Sequence, residues 1–288
     1  MIQEIVSGLS MGCIYALVGF GFVIIYNALG AVNFAYGEVV MFGGYFGLLA
    51  TTWLGLPLWG ALIFSLVSMA ALGIFNMLFA YYPMRHRPVV TVIIASIGMS
   101  ILLRNSALAI WGPDPLKIDS FLGDGIINMG GVVVVRHQLL IFAVTALVFI
   151  GQYFFFARTP IGRKLEATAQ DQETAQLMGI KVRRMIMLTF VMAGLLGSIA
   201  GFLVAPLWFL EPDVGLYIIL KAFIAVVIGG FGSVPGLVVG GLFLGVTEVL
   251  VASHLTSEYK DVISFLILIT VLMVMPQGFF GEKIAEKV

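Results

Sequence analysis

Three charged side chains, Glu38, Lys221 and Glu248, fall within or at the edge of long apolar runs in a chain of 288 residues. A charge at membrane depth costs about 3 kcal/mol or more, so each is a candidate for function by default. Lys221 and Glu248 sit in adjacent segments joined by the glycine-rich turn 229–236. They can neutralise each other as a structural ion pair, because buried charges must first be paired, or they can face a solute pathway. Glu38 closes the stretch 30–38, GAVNFAYGE, where it either caps a span at the interface or lines the pathway. In the same stretch the Asn33 amide can bond a solute or satisfy backbone carbonyls at a helix break. Irregular backbone is tolerated at membrane depth only where it lines a cavity or is buried in protein, so 30–38 reads as a broken or re-entrant helix. Asn33, Tyr36, Glu38, Lys221 and Glu248 are therefore the pathway candidates.

Other chemistries lack their residues. No Gly-xxxx-Gly-Lys-Ser/Thr loop is present to cradle nucleotide phosphates, so no ATP cofactor is expected on this chain. His86, His137 and His254 are far apart, and no His-Glu-xx-His or Cys cluster suggests a metal. No nucleophile–base pair stands out, so no catalytic residue is assigned. Cys13, inside the first apolar run, reads as a small packed residue. Formal net charge is zero, which gives no sign of a nucleic-acid partner.

The elements that position these residues follow from composition. The chain is 61% hydrophobic and 10% charged, with mean hydropathy +1.10. A soluble fold carries about 25% charged residues. The class is all-α integral membrane, one domain over 1–288, and a polytopic bundle of about eight or nine transmembrane or re-entrant helices at roughly 20 apolar residues per span. Nine apolar runs can be drawn, at 5–29, 39–53, 57–82, 89–103, 138–156, 185–208, 216–228, 237–252 and 262–275. Residues 105–137 form an external loop, with a small β-hairpin around Gly130-Gly131. Five Gly-xxx-Gly pairs begin at Gly8, Gly43, Gly197, Gly236 and Gly241. In lipid, helices associate by close backbone approach at small residues, so these pairs predict a packed bundle rather than separate anchors.

Residues 158–184 are the one long polar island and hold six of the fifteen Lys and Arg residues. Arg85, Arg87, those six, Lys283 and Lys287 all fall in alternate loops. The positive-inside rule puts the island and the C-terminus in the cytoplasm, and the N-terminus outside. The first basic residue is Arg85, and no cleavable signal peptide is read. Within the island Asp171 is a good N-cap, Gly179 a good C-terminal stop, and Glu173 suits the helix dipole. Ala175, Leu177 and Met178 give a small apolar patch on a helix of two turns at most. So short a helix needs support from the membrane domain or a partner, although a solvated loop is the plainer reading of a charged run.

Four stretches carry a resemblance that covers nearly the whole chain: 7–38, 111–131, TPIGRKLEATAQDQETAQLMGI at 159–180 and GGFGSVPGLVVGGLFLGVTE at 229–248. Together they resemble the membrane permease of branched-chain amino acid ABC importers, the LivH/LivM type and its LivH branch. Tyr36 stands where many relatives have histidine after Asn-Phe-Ala. The resemblance implies a permease subunit that moves small amino acids, branched-chain above all, across a bacterial inner membrane. It implies two ATP-binding subunits carrying ATP and magnesium, a second permease subunit (LivM-like or a second copy) and a periplasmic substrate-binding protein. It makes the island the coupling loop to the ATPase, through Glu166, Asp171, Glu173, Ala175, Leu177, Met178 and Gly179. A secondary transporter or facilitator of a small neutral solute, such as urea or an amide, is the alternative, since a glycine-rich apolar pathway suits that too.

Overall fold

A computed structural model describes residues 1–118, 120, 125–129 and 132–281. Gly130-Gly131, Lys283 and Lys287 lie outside them. Eleven α-helices and one β-hairpin are present among the described residues. Each of the nine apolar runs contains a helix, and the island contains two more.

Helix α1, Ile2–Leu29, ends where Gly30 takes φ 64°, a left-handed conformation open to glycine at no steric cost. Irregular backbone follows, and α2 begins only at Tyr36 and runs to Leu48, with a π-helical turn Leu49–Trp53. Helix α3, Leu58–Asn76, continues through a π-helical turn Met77–Tyr81. Helix α4, Val89–Trp111, is longer than the run 89–103. Asn105 and Ser106 do not break it, because Asn105 Nδ2 donates to the Ile101 carbonyl at 2.7 Å and Ser106 Oγ to that of Leu102 at 2.7 Å. The external loop 105–137 is correspondingly shorter and starts at Gly112-Pro113. Strands β1, Ile126–Met129, and β2, Val132–Val135, pair antiparallel with Ile126 opposite Val135.

Helix α5, Arg136–Arg158, leads into α6, Pro160–Gln170, and α7, Gln172–Leu177. Then come α8, Val182–Val204, α9, Val214–Gly229, α10, Val234–His254, and α11, Tyr259–Val274. Among the described residues, six helical stretches are long and apolar enough to cross a membrane: Ile2–Leu29, Leu58–Met84, Val89–Trp111, Arg136–Arg158, Val182–Val204 and Val234–His254. Helices α2, α9 and α11 are shorter. The chain is an all-α, multi-pass membrane bundle.

Helices α1, α2, α8, α9 and α10 form its centre, and the glycine pairs explain how. A Cβ on Gly8 or Gly12 would lie 2.6 Å from the Cα of Val246 or Leu242, and one on Gly241 would lie 2.9 Å from the Gly12 carbonyl oxygen. Helices α1 and α10 thus run antiparallel, backbone on backbone, with two glycine pairs facing each other. Gly43 and Gly201 bring α2 and α8 together backbone to backbone as well, while Gly47 makes room for the Phe202 ring. Without these glycines the close approach that holds helices in lipid is lost. The outer helices present large apolar side chains to the exterior, among them Ile63, Ile94, Leu147, Phe154 and Leu266. That is the surface a membrane span requires.

Two ends are defined along α1. Near its start, Gln138 Nε2 of α5 donates to Ser7 Oγ at 3.0 Å. Near its finish, Gln172 Nε2 of α7 donates to the Ala28 carbonyl at 2.7 Å. At 1.5 Å per residue these points are about 30 Å apart, a hydrocarbon thickness. The hairpin and the island therefore occupy opposite ends.

Candidate functional site

The island is built by two caps. Thr159 Oγ1 accepts from Gly162 N at 2.9 Å, with Pro160 in the first turn, and this starts α6. Asp171 Oδ1 accepts from Glu173 N at 2.9 Å and from Thr174 N at 3.2 Å, and this starts α7. Gly179, at φ 81°, stops it. Helix α6 lies where the sequence reading has only a polar stretch, although Thr159-Pro160 ahead of Lys164-Leu165-Glu166 is a legible start signal. It buries Leu165 and Thr168 and leaves Glu166 exposed. A cavity of about 400 Å³ lies between α6, the end of α1, α5 and the turn 229–236, lined by Phe20, Phe149, Phe156, Leu165 and Glu166.

The expected apolar patch on α7 is divided. Ala175 is buried against the bundle, whereas Leu177 is 88% and Met178 78% exposed. With Gln172 tied to α1, the base of α7 is fixed and its tip points away from the chain. Beside it is a wider basin of about 810 Å³, edged by Tyr82, Arg85, His86, Asp171, Glu173 and Arg183. The Arg85 and Arg183 guanidinium carbons lie 3.9 and 4.5 Å from the centre of the Tyr82 ring, which collects positive charge beside α7.

Inside the bundle, Lys221 and Glu248 form a buried ion pair. Tyr15 Oη donates to Glu248 Oε2 at 2.6 Å, and Lys221 Nζ donates to Ser264 Oγ at 3.1 Å. Lys221 Nζ also meets Asp261 Oδ1 at 2.8 Å, and Tyr217 Oη donates to the same oxygen at 2.9 Å. Four helices, α1, α9, α10 and α11, are tied through one ammonium and two carboxylates.

The other pathway candidates have different partners. Asn33 Oδ1 accepts from Ala35 N at 3.0 Å, so it satisfies a backbone donor at the helix break rather than carbonyls. Tyr36 Oη donates to the Ala193 carbonyl at 3.2 Å, and its ring end rests on Gly21. Glu38 is not an interface cap. It lies in the first turn of α2, 1% exposed, and accepts from Ser100 Oγ at 3.0 Å through Oε1. Sequence reading missed Tyr15, Tyr217, Asp261 and Ser264 on one side and Ser100, Arg104 and Asp213 on the other. Each is a common residue type at a span end or on an apolar face, without a spacing that marks it.

Long apolar helices packed through glycine, charges held inside the bundle and a capped polar element at one end define a multi-pass membrane transport subunit. The chain belongs to the family described as branched-chain amino acid transport system / permease component, which matches residues 4–272. It is 36% identical over 300 residues to the high-affinity branched-chain amino acid transport system permease protein BraD of Pseudomonas aeruginosa, covering 100% of this chain and 98% of that one. It is 36% identical over 302 residues to the permease protein LivH of Salmonella typhimurium, covering 100% and 97%. An archaeal relative, the probable LivH of Methanocaldococcus jannaschii, is 27% identical over 282 residues, covering 92% and 88%.

Proposed function

We propose that this chain is the membrane-spanning permease subunit of an ATP-driven importer of small amino acids, branched-chain ones first. The observation that carries the reading is α7: a capped helix, fixed at its base, that presents exposed Leu177 and Met178 in a protein of this family. An isolated two-turn helix is unstable in water, so its exposed tip fits a surface that another subunit covers. The partners are two ATP-binding subunits, which hold ATP and magnesium and perform the hydrolysis; this chain is not an enzyme. Glu166, Asp171, Glu173 and Gly179 build the coupling surface around the tip, and Ala175 seats α7 on the bundle. A second permease subunit, LivM-like or another copy, completes the membrane domain, and a periplasmic binding protein delivers solute to the loop end. The nine apolar helices cross or enter the bilayer of a bacterial inner membrane, with the island and C-terminus cytoplasmic and the N-terminus outside. The facilitator alternative has no use for a capped, outward-pointing α7, and the family match does not favour it.

The test is purification of the detergent-solubilised chain from its native membrane with whatever accompanies it. ATP-binding subunits are expected to co-purify, and to be lost when residues 171–179 are scrambled. Recovery of the chain alone, with gradient-driven uptake in liposomes, would sink the reading.

A further inference from the structure

Arg104 and Asp213 form an ion pair whose side chains are 46% and 65% exposed. Its place in the fold is unusual for exposed charge. Arg104 is on α4, seven residues before Trp111 and so about 10 Å short of that end at 1.5 Å per residue. Ile101 and Leu108, one turn to either side on the same face, are exposed and apolar. Asp213 directly precedes α9. Charges at membrane depth face a bundle interior or a water-filled cavity, not hydrocarbon.

Behind the pair lies Glu38. Its carboxylate is within electrostatic reach of both Arg104 and Asp213. Oε1 is held by Ser100, but Oε2 is buried and has no hydrogen-bond partner. That orphan oxygen rests on Gly215, so closely that a Cβ there would collide with it. It thus lies against the first turn of α9, where Val214 N and Tyr217 N already donate to the Glu211 and Asp213 carbonyls. A buried carboxylate oxygen left unsatisfied is costly, and few are tolerated without a role.

We propose that Glu38, Ser100, Arg104 and Asp213 form a subsite for a zwitterionic α-amino acid on the transport path. Arg104 takes the substrate carboxylate, for which its planar fork is suited. Glu38 Oε2 and Asp213 take the ammonium. The Arg104–Asp213 pair is the closed form of the site: a zwitterion opens it by supplying both opposite charges at once, whereas a singly charged solute leaves one of them unmatched and a neutral solute leaves both. This assignment rests on the permease reading above and adds to it the side chains that recognise the two charged ends of the amino acid.

The experiment is ATP-driven uptake of radiolabelled leucine by the complete transporter in proteoliposomes, each variant first checked for recovery with its ATPase subunits. Glu38→Gln and Arg104→Gln are expected to lower uptake at least tenfold. The exchanged pair Arg104→Asp with Asp213→Arg keeps a salt bridge and is expected to stay at least tenfold down. Normal uptake by the exchanged pair, or by Glu38→Gln, overturns the subsite and leaves the permease reading standing. A wild-type assembly that moves urea but not leucine overturns the amino-acid reading and the subsite with it.

Discussion

Lys221 and Glu38 are both buried charges in short central helices, yet their surroundings differ in kind. Lys221 meets Glu248, Asp261 and Ser264, and Glu248 is further bonded by Tyr15. Glu38 has one hydroxyl on one oxygen and nothing on the other. A fully partnered charge joins helices; a half-partnered one keeps bonding capacity in reserve. The difference suggests that the Lys221 cluster maintains the bundle while the Glu38 cluster works on something that passes.

The comparison can be broken most readily at Lys221. Lys221→Met leaves two carboxylates without their cation and is expected to destabilise the chain by about 3–5 kcal/mol. Thermal unfolding in detergent measures it, and a shift too small to resolve would remove the structural role. Adding Glu248→Met to Lys221→Met is expected to recover much of that loss, because a buried pair replaced by apolar side chains is often near neutral. A double variant no more stable than the single one would show that Asp261 or Tyr15 carries the cluster instead. Tyr15→Phe removes one hydrogen bond to a charged group and is expected to cost about 1.5–3 kcal/mol on the same assay. Glu38→Gln keeps an acceptor for Ser100 and is expected to change stability by less than about 1 kcal/mol while uptake falls. If it melts as early as Lys221→Met, the two clusters are alike and the contrast is lost. Asp171→Ala is expected to leave global stability unchanged, because loss of the cap costs about 1 kcal/mol within α7 alone. Weaker ATPase co-purification at unchanged melting temperature is its signature.

Much of this is legible in the sequence. The apolar runs located the helices because lipid demands uninterrupted apolar length, and Asp171 and Gly179 marked both ends of α7 through backbone chemistry alone. The Lys221–Glu248 pair was legible because a tight turn joins their segments. What composition could not supply was depth. The apolar run 89–103 stops at Arg104 and Asn105, yet Asn105 bonds its own helix, which continues past Arg104 to Trp111. Sequence leaves Glu38 open between an interface cap and the pathway for the same reason: α2 starts inside the protein, a fact set by the packing of Gly37 and Gly215 rather than by any local signal. Tyr15 lies 233 residues from Glu248, beyond the reach of any pattern in the intervening chain.

That separation has a consequence for synthesis. Helix α1 leaves the ribosome first, but the helix that fills its glycine notch comes almost last. At about 5–20 residues per second, the wait between Tyr15 and Glu248 is roughly 10–50 s. During that time α1 must stay in the bilayer or the insertion machinery with Gly8 and Gly12 uncovered, open to any other helix with a small-residue face. A chain cut short before α10 would hold that notch open for good.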